Sequence, residues 1–464
     1  MIYTTIHYIY WFIIFFDGVF RLLDISGAIN KISIPILSIL LFIHIMFTRK
    51  RLSLHIKLPF INVVILFLIV CLLSNAYNDI DIFSTSYFIV YALNSYLYFL
   101  IIINETNSNR IHNISKCIIL LCLLQIPIII IKYIVVGQTE SGLIGSLSVK
   151  AGSVSAIFPL LITAIACSYY VYTLDKKLII IILFAVFFGF AGGKRAIIFF
   201  IPATLFCVLF LNIILNRNKY SIKNVYLLLS VFIVSALAII AIAKSTPTLN
   251  PEHSKWGSFN LHHILYYTDK YTSSKGKLFS EMRRKEGFIY FTKKMVQAEI
   301  INGVLGDGPG KLIKTKYSLR SGEMLDEYGV RYGGRMGFIW MLIQVGFLGV
   351  SLYLFFIYKT VKFVLKNYKS KPIYLAYLSL TFVFFIDFFT YSIVFYQYEY
   401  LKGIYFFIFA LIYLHKDSKN QNDCEGNGKK YLTKYTRKYL VSTPITYRLR
   451  KPPCHMRLHG GGFE

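Results

Sequence analysis

Residues 176–215 read KKLIIIILFAVFFGFAGGKRAIIFFIPATLFCVLFLNIIL, two apolar runs at 178–193 and 195–215 that meet at the turn Gly192-Gly193-Lys194-Arg195. Helical runs of about twenty apolar residues match the hydrocarbon thickness of a bilayer. Outward from this hairpin the same pattern recurs at 3–23, 32–48, 59–75, 82–103, 114–136, 151–173, 225–243, 337–358, 373–394 and 401–415. With 56% apolar and 17% aromatic residues in 464, the chain reads as an all-α polytopic membrane protein of about twelve spans. A membrane barrel would alternate in segments of about ten residues, and a soluble domain could not bury so many unbroken runs.

The formal charge of +28 sits mostly in short loops and in the C-terminal tail. That placement points to orientation and anionic headgroups, not to nucleic acid. Every second loop is basic: Arg49 to Lys57, Arg110 to Lys116, Lys176 and Lys177, Arg217 to Lys223, and Lys359 to Lys371. The positive-inside bias makes these cytoplasmic, with both termini. The turns near Asn78 to Asp81, Gly137 to Gly152, Gly192 to Arg195 and Tyr396 to Tyr400 then face outward. The chain accordingly divides into a bundle over 1–243, a large extracytoplasmic loop over 244–335, further spans over 336–415, and a basic cytoplasmic tail over 416–464 read as disordered or surface-lying. The first run lacks a basic leader and a small-residue cleavage site, so it is expected to be a retained span. None of the seven cysteines falls in the large loop, so no disulfide is expected there.

Cations on the outward side need a local reason. Lys194 and Arg195, beside the amides that Gly192 and Gly193 leave at a helix start, either cradle a phosphate or snorkel to headgroups, and the spacing favours neither. In the large loop, Phe288, Phe291, Met295 and Ala298 recur at helical spacing and predict a helix over 281–301, with Arg284 on the apolar face and Arg283 beside it. That arginine either seeks an anion or anchors an interfacial helix. Gly306-Asp307-Gly308-Pro309-Gly310-Lys311 lacks the spacing of a nucleotide phosphate loop and reads as a turn folding the loop back over the helix ends. Asp17 and Arg21 can pair on one helix face. Asp387, towards the outer end of its span, is either functional or a hydrogen-bonded structural acid. His253, His262 and His263 lack a third ligand at useful spacing, so no metal is expected.

The order of these parts resembles the O-antigen polymerase and O-antigen ligase superfamily of envelope glycosyltransferases. Gly192 to Arg195 matches that family's small-residue turn with arginine between two spans. Arg283 or Arg284 followed by Gly306 to Gly310 matches its loop arginine and glycine–proline turn, and the span with Gly337, Gly346 and Gly349 is similar to its next helix. The likeness covers residues 150 to 360. It implies a GT-C-like fold in the inner membrane and donor and acceptor glycans linked to undecaprenyl diphosphate. It also implies metal-independent catalysis in which Lys194, Arg195, Arg283, Arg284 and Arg335 hold diphosphate or acidic sugar, supported by Gly192, Gly193, Gly308, Gly310 and Asp387. No cofactor follows from it; a flippase and a chain-length regulator are candidate partners. Ligases carry a histidine where this chain has Tyr332-Gly333-Gly334-Arg335, which favours the polymerase and leaves Glu327 as the nominated base. The alternatives are a ligase-type transferase and a transporter or flippase of lipid-linked glycans.

Overall fold

The computed structural model describes residues 2–23, 27–136, 145–147, 154–191, 197–216, 249–254, 256–273, 284–312, 336–390 and 399–425, with single helical positions among 226–244. All regular elements among them are helices: α1 (Ile2–Phe15), α2 (Asp17–Leu22), α3 (Gly27–Arg51), α4 (Ile61–Asn78), α5 (Ile82–Asn104), α6 (Ser108–Val136), α7 (Val154–Thr173), α8 (Lys176–Ala191), α9 (Ile197–Leu215), α10 (Leu261–Ser273), α11 (Arg284–Gln297), α12 (Ile300–Leu305), α13 (Gly337–Lys366), α14 (Pro372–Thr390) and α15 (Glu399–Glu425). Seven of these helices are long and apolar enough to cross a membrane, namely α3 to α7, α13 and α14. The protein is a multi-pass helical membrane protein. The run at 225–243 and the tail beyond Glu425 lie largely outside the described residues.

Helix α4 shows why these runs fold as they do. It buries Val63, Val64, Phe67, Val70, Cys71 and Ser74 and exposes Ile65, Leu66, Ile69, Leu72 and Leu73. Both stripes are apolar, so one packs on protein while the other meets lipid. Pro127, Pro159 and Pro202 sit inside α6, α7 and α9, which membrane helices tolerate because neighbours re-satisfy the freed carbonyls. The tight turn between α4 and α5 is set by Asp79, which ends α4 in a left-handed conformation, and by Asp81, whose carboxylate accepts the Ser84 N–H at 3.0 Å. While Ile264 of α10 packs with Ala243 and Leu249 in a separate small cluster, one continuous core links α1 with α15. In it α7 packs on α8, α9 and α14, α5 on α3 and α15, and α13 on α4, α11, α12 and α14.

Three runs are broken where the sequence predicts continuity. The first, at Phe16, separates α1 from α2: the Gly18 N–H donates to Ser146 O at 2.9 Å and the Ser146 hydroxyl to Phe15 O at 2.7 Å, so an inserted loop replaces helical partners. Asp17 and Arg21 therefore share the short α2 rather than a full span. The second break, at Ala298 and Glu299, divides the helix expected over 281–301 into α11 and α12, because Gly303 turns back onto the Met295 carbonyl, where a Cβ would lie 2.8 Å from that oxygen. On α11, Phe291 and Met295 are buried as expected, while Phe288 keeps a half-open face. The third break is at Gly346 within α13, whose φ of 62° and ψ of −171° are not helical.

Hydrogen bonds mark the two ends of the bundle. At one end Tyr172 of α7, Asn216 after α9, and Tyr368 and Ser370 between α13 and α14 form a cluster, with Tyr172 Oη to Tyr368 Oη at 2.7 Å and Asn216 Nδ2 to Tyr172 Oη at 2.8 Å. Arg49 at the end of α3 and Arg110, paired with Glu105 at 2.8 Å between α5 and α6, occupy the α5 terminus remote from the α4–α5 turn. The described cations of the loops read as inward thus flank the helix ends away from that turn.

Candidate functional site

The glycine turn is the most tightly built part of the opposite end. Residues 306–310 are buried throughout and seat against α4, α5 and the break in α13. Gly306 has φ 81° and ψ 179°, and Gly346 has φ 62° and ψ −171°, backbone that is essentially restricted to glycine. The two glycines face each other: a Cβ on Gly306 would lie 2.5 Å from the Gly346 nitrogen, and one on Gly346 would strike the Val304 carbonyl. A Cβ on Gly308 would meet Ile80, and one on Gly310 the Ser84 backbone. The turn expected to fold back over the helix ends does so, and it reaches into them.

Polar groups lock it there. Asn78 Nδ2 donates to Gly306 O at 3.0 Å, the Asp307 N–H to Ile343 O at 2.7 Å, the Gly310 N–H to Gln344 Oε1 at 2.9 Å, and Thr85 Oγ1 to Pro309 O at 3.0 Å. Ile343 is at the carboxyl end of the first half of α13, where the break frees carbonyls, and the Asp307 amide takes up one of them. Asn302 Nδ2 approaches Asp307 Oδ1 at 3.5 Å, tying α12 to the same turn.

An aromatic bridge extends the site sideways. Phe288 of α11 stacks on Phe338 of α13 at 5.4 Å, and Phe338 meets Phe388 at 6.1 Å and Phe389 at 5.5 Å on α14. Asp387, fully buried, precedes Phe388 in sequence. Arg284 is the first residue of α11, one turn before Phe288. Helices α8 and α9 run from the Tyr172 end to their junction, so Ala191 and Ile197, which flank the cationic turn, also belong to the glycine-turn end. There Gly189 lets α8 close on the Ile197 side chain.

Of the nominated residues, Gly308, Gly310, Asp387 and the backbone of Arg284 converge at this end. Gly192, Gly193, Lys194, Arg195, Arg283, Glu327 and Arg335 lie outside the described residues, as does the side chain of Arg284. In the large loop, His253 and His263 meet edge to face at 5.7 Å, and no group of three metal-ligating side chains occurs among the described residues. The Glu252 carboxylate there is held below its ordinary range by the hydroxyl and N–H of Ser258.

Several participants escaped the sequence reading. Gln344 and Asn78 are polar residues in or ending apolar runs, a signal that was present. Lys402 is a second: it lies fully within α15, its Nζ donates to Tyr91 O at 3.1 Å, and it borders a cavity of about 30 Å³, room for a single water. Gly346 stands out in the sequence only as one of three glycines in its span, with nothing local to mark the break there. Compared with known protein families and with curated proteins, the chain matches none.

Proposed function

We infer that the protein is a repeat-unit polymerase: it transfers a growing glycan from undecaprenyl diphosphate onto the next lipid-linked repeat at the outer face of the inner membrane. The observation that carries this reading is the convergence at one end of the bundle of the glycine turn, the start of α11 at Arg284, the junction of α8 with α9, and Asp387. In the proposed mechanism Lys194, Arg195, Arg284 and Arg335 hold the diphosphate and stabilise its negative charge as the glycosidic bond to it breaks. An acceptor hydroxyl attacks the anomeric carbon, and its proton passes to a carboxylate, for which Glu327 is the nominee. The glycine turn fixes α12, and α11 with it, relative to the spans, which gives the proposed diphosphate site a rigid frame. The resulting glycan would enter lipopolysaccharide or another surface polysaccharide.

Arg195→Ala and Arg284→Ala test this directly. Each should collapse the cellular ladder of glycan lengths to single repeats while the protein stays in the membrane. An unchanged ladder overturns the reading. A reporter fused at Tyr290 should register the extracytoplasmic side. The break at Gly346 and the buried Lys402 favour one competing reading, a flippase for lipid-linked glycans, since broken helices and intramembrane charges are common in transporters. Reconstituted vesicles separate the two: a polymerase lengthens its substrate, whereas a flippase moves it unchanged.

A further inference from the structure

The strongest feature outside that site is a groove on the flank of the bundle. Helices α3 and α4 are consecutive, yet α3 rests on α1 and α5 while α4 rests on α13 and α5. The wedge between them, floored by α5, is an open groove of about 510 Å³. Ile39, Phe42, Ile61, Ile89, Leu93 and Leu97 are among its walls. Its few polar side chains are turned to partners elsewhere: Asn94 Nδ2 donates to Tyr10 Oη at 3.2 Å, and Tyr96 Oη to Pro59 O at 2.7 Å. What the groove offers a ligand is therefore hydrocarbon.

Its length and one of its ends narrow the ligand. Along α5 the lining runs from Ile89 to Leu100, which at the ~1.5 Å rise per helical residue is about 16 Å, close to half of the ~30 Å bilayer core. That is the depth of one leaflet, the reach of a phospholipid acyl chain, and too short for a long polyprenyl tail laid straight. Ile56 and Leu58 line the end remote from the glycine turn, on either side of Lys57 in the segment that follows Arg51. This segment is built in place: Arg49 Nε donates to Asn104 O at 2.8 Å and Arg49 Nη1 to His55 O at 2.5 Å, and Asn104 exchanges two 2.8 Å bonds with the Lys57 backbone. Lys50 and Arg51 are exposed beside it and Lys57 is half-buried, while the nearby Glu105 is paired with Arg110 at 2.8 Å.

We propose that this groove binds one acyl chain of an anionic glycerophospholipid whose headgroup phosphate is held by Lys50, Arg51 and Lys57. The site lies at the opposite end from the glycine turn and stands independently of the polymerase reading, since it involves no glycan.

Native mass spectrometry of the full-length protein in detergent, titrated with phosphatidylglycerol or with phosphatidylcholine of the same chains, tests it. The wild type should retain phosphatidylglycerol roughly tenfold more tightly, as expected for a few juxtamembrane cations at one headgroup. K50Q/R51Q/K57Q should bring phosphatidylglycerol down to the phosphatidylcholine level and leave phosphatidylcholine unchanged. I39W/I89W, which fills the groove, should lower retention of both. Equal retention of the two lipids by the wild type, or undiminished phosphatidylglycerol on the charge variant, overturns the proposal. The charge variant decides the matter even if the tryptophan variant does not fold, because glutamine at position 57 keeps the two backbone bonds to Asn104 that hold the segment.

Discussion

The two ends of the bundle are fastened by different chemistry. At the glycine-turn end backbone meets backbone, Gly306 on Gly346 and Gly310 on Ser84, with no room for a Cβ between them. At the other end side chains reach across gaps: Arg49 to the carbonyls of Asn104 and His55, Asn216 to Tyr172, Tyr368 to Asn216. Close-packed backbone has no slack, whereas a long side chain can find its carbonyl from several rotamers. The large loop is thus a structural member of the bundle where its glycine turn enters. The basic loops are tied on from outside.

The contrast can be broken most forcefully at Gly346. Gly346→Ala must adopt a glycine-only conformation, costing about 1–3 kcal/mol before the clash with the Val304 carbonyl. It should therefore give the largest fall in melting temperature of the detergent-solubilised protein and, on the proposed function, abolish the glycan ladder. A wild-type melt would mean that α13 is unbroken there. Gln344→Leu comes next: it leaves the buried Gly310 N–H without its acceptor, a loss of about 1–3 kcal/mol, and should shorten the glycan ladder as well. Asn104→Ala sharpens the comparison from the other side. It removes two bonds to the Lys57 backbone near the bundle surface, so stability should fall by about 1 kcal/mol with the ladder unaltered. A shortened ladder here would show that the two ends are coupled.

The smallest effect is one of pH at Glu252, in the large loop. Its carboxylate is lowered from 4.5 by Ser258, so the stabilisation is present above that value and is lost as pH falls through the lower folded value. Protection of the Ser258 amide, its exchange rate relative to the intrinsic rate at the same pH, should be lost only on such acidification. Glu252→Gln should make that protection independent of pH in this range.

Much of the fold was legible because lipid solvation demands long apolar helices, and α4 and α5 begin and end within a few residues of the runs that predict them. The glycine turn was legible as a turn from its Gly and Pro punctuation. Its destination was not: Asn78 and Gly306 are 228 residues apart, and no local pattern joins them. Gly346 reads as one glycine in an apolar run, and only the Val304 backbone against it reveals the break. The division of α11 from α12 was equally hidden, since Ala298 and Glu299 are ordinary helix residues and the packing of Gly303 on Met295 decides it. The cationic turn at Lys194 and Arg195 stands out through its sign on the side that the loop charges mark as outward, a signal of charge rather than of shape.

The insertion of residues 306–310 between α4, α5 and α13 carries a consequence for biogenesis. The α4–α5 hairpin leaves the ribosome long before the segment that fills it; until then Asn78 and Thr85 can rely on partners within the hairpin, Ser74 O at 2.9 Å and Asn75 Oδ1 at 2.7 Å, while the seat itself stands open. The plug is followed in the chain by α13, whose cleft completes its seat. Maturation of this protein therefore includes a late docking event, and truncations that stop before Gly337 should leave the hairpin open to proteolytic surveillance.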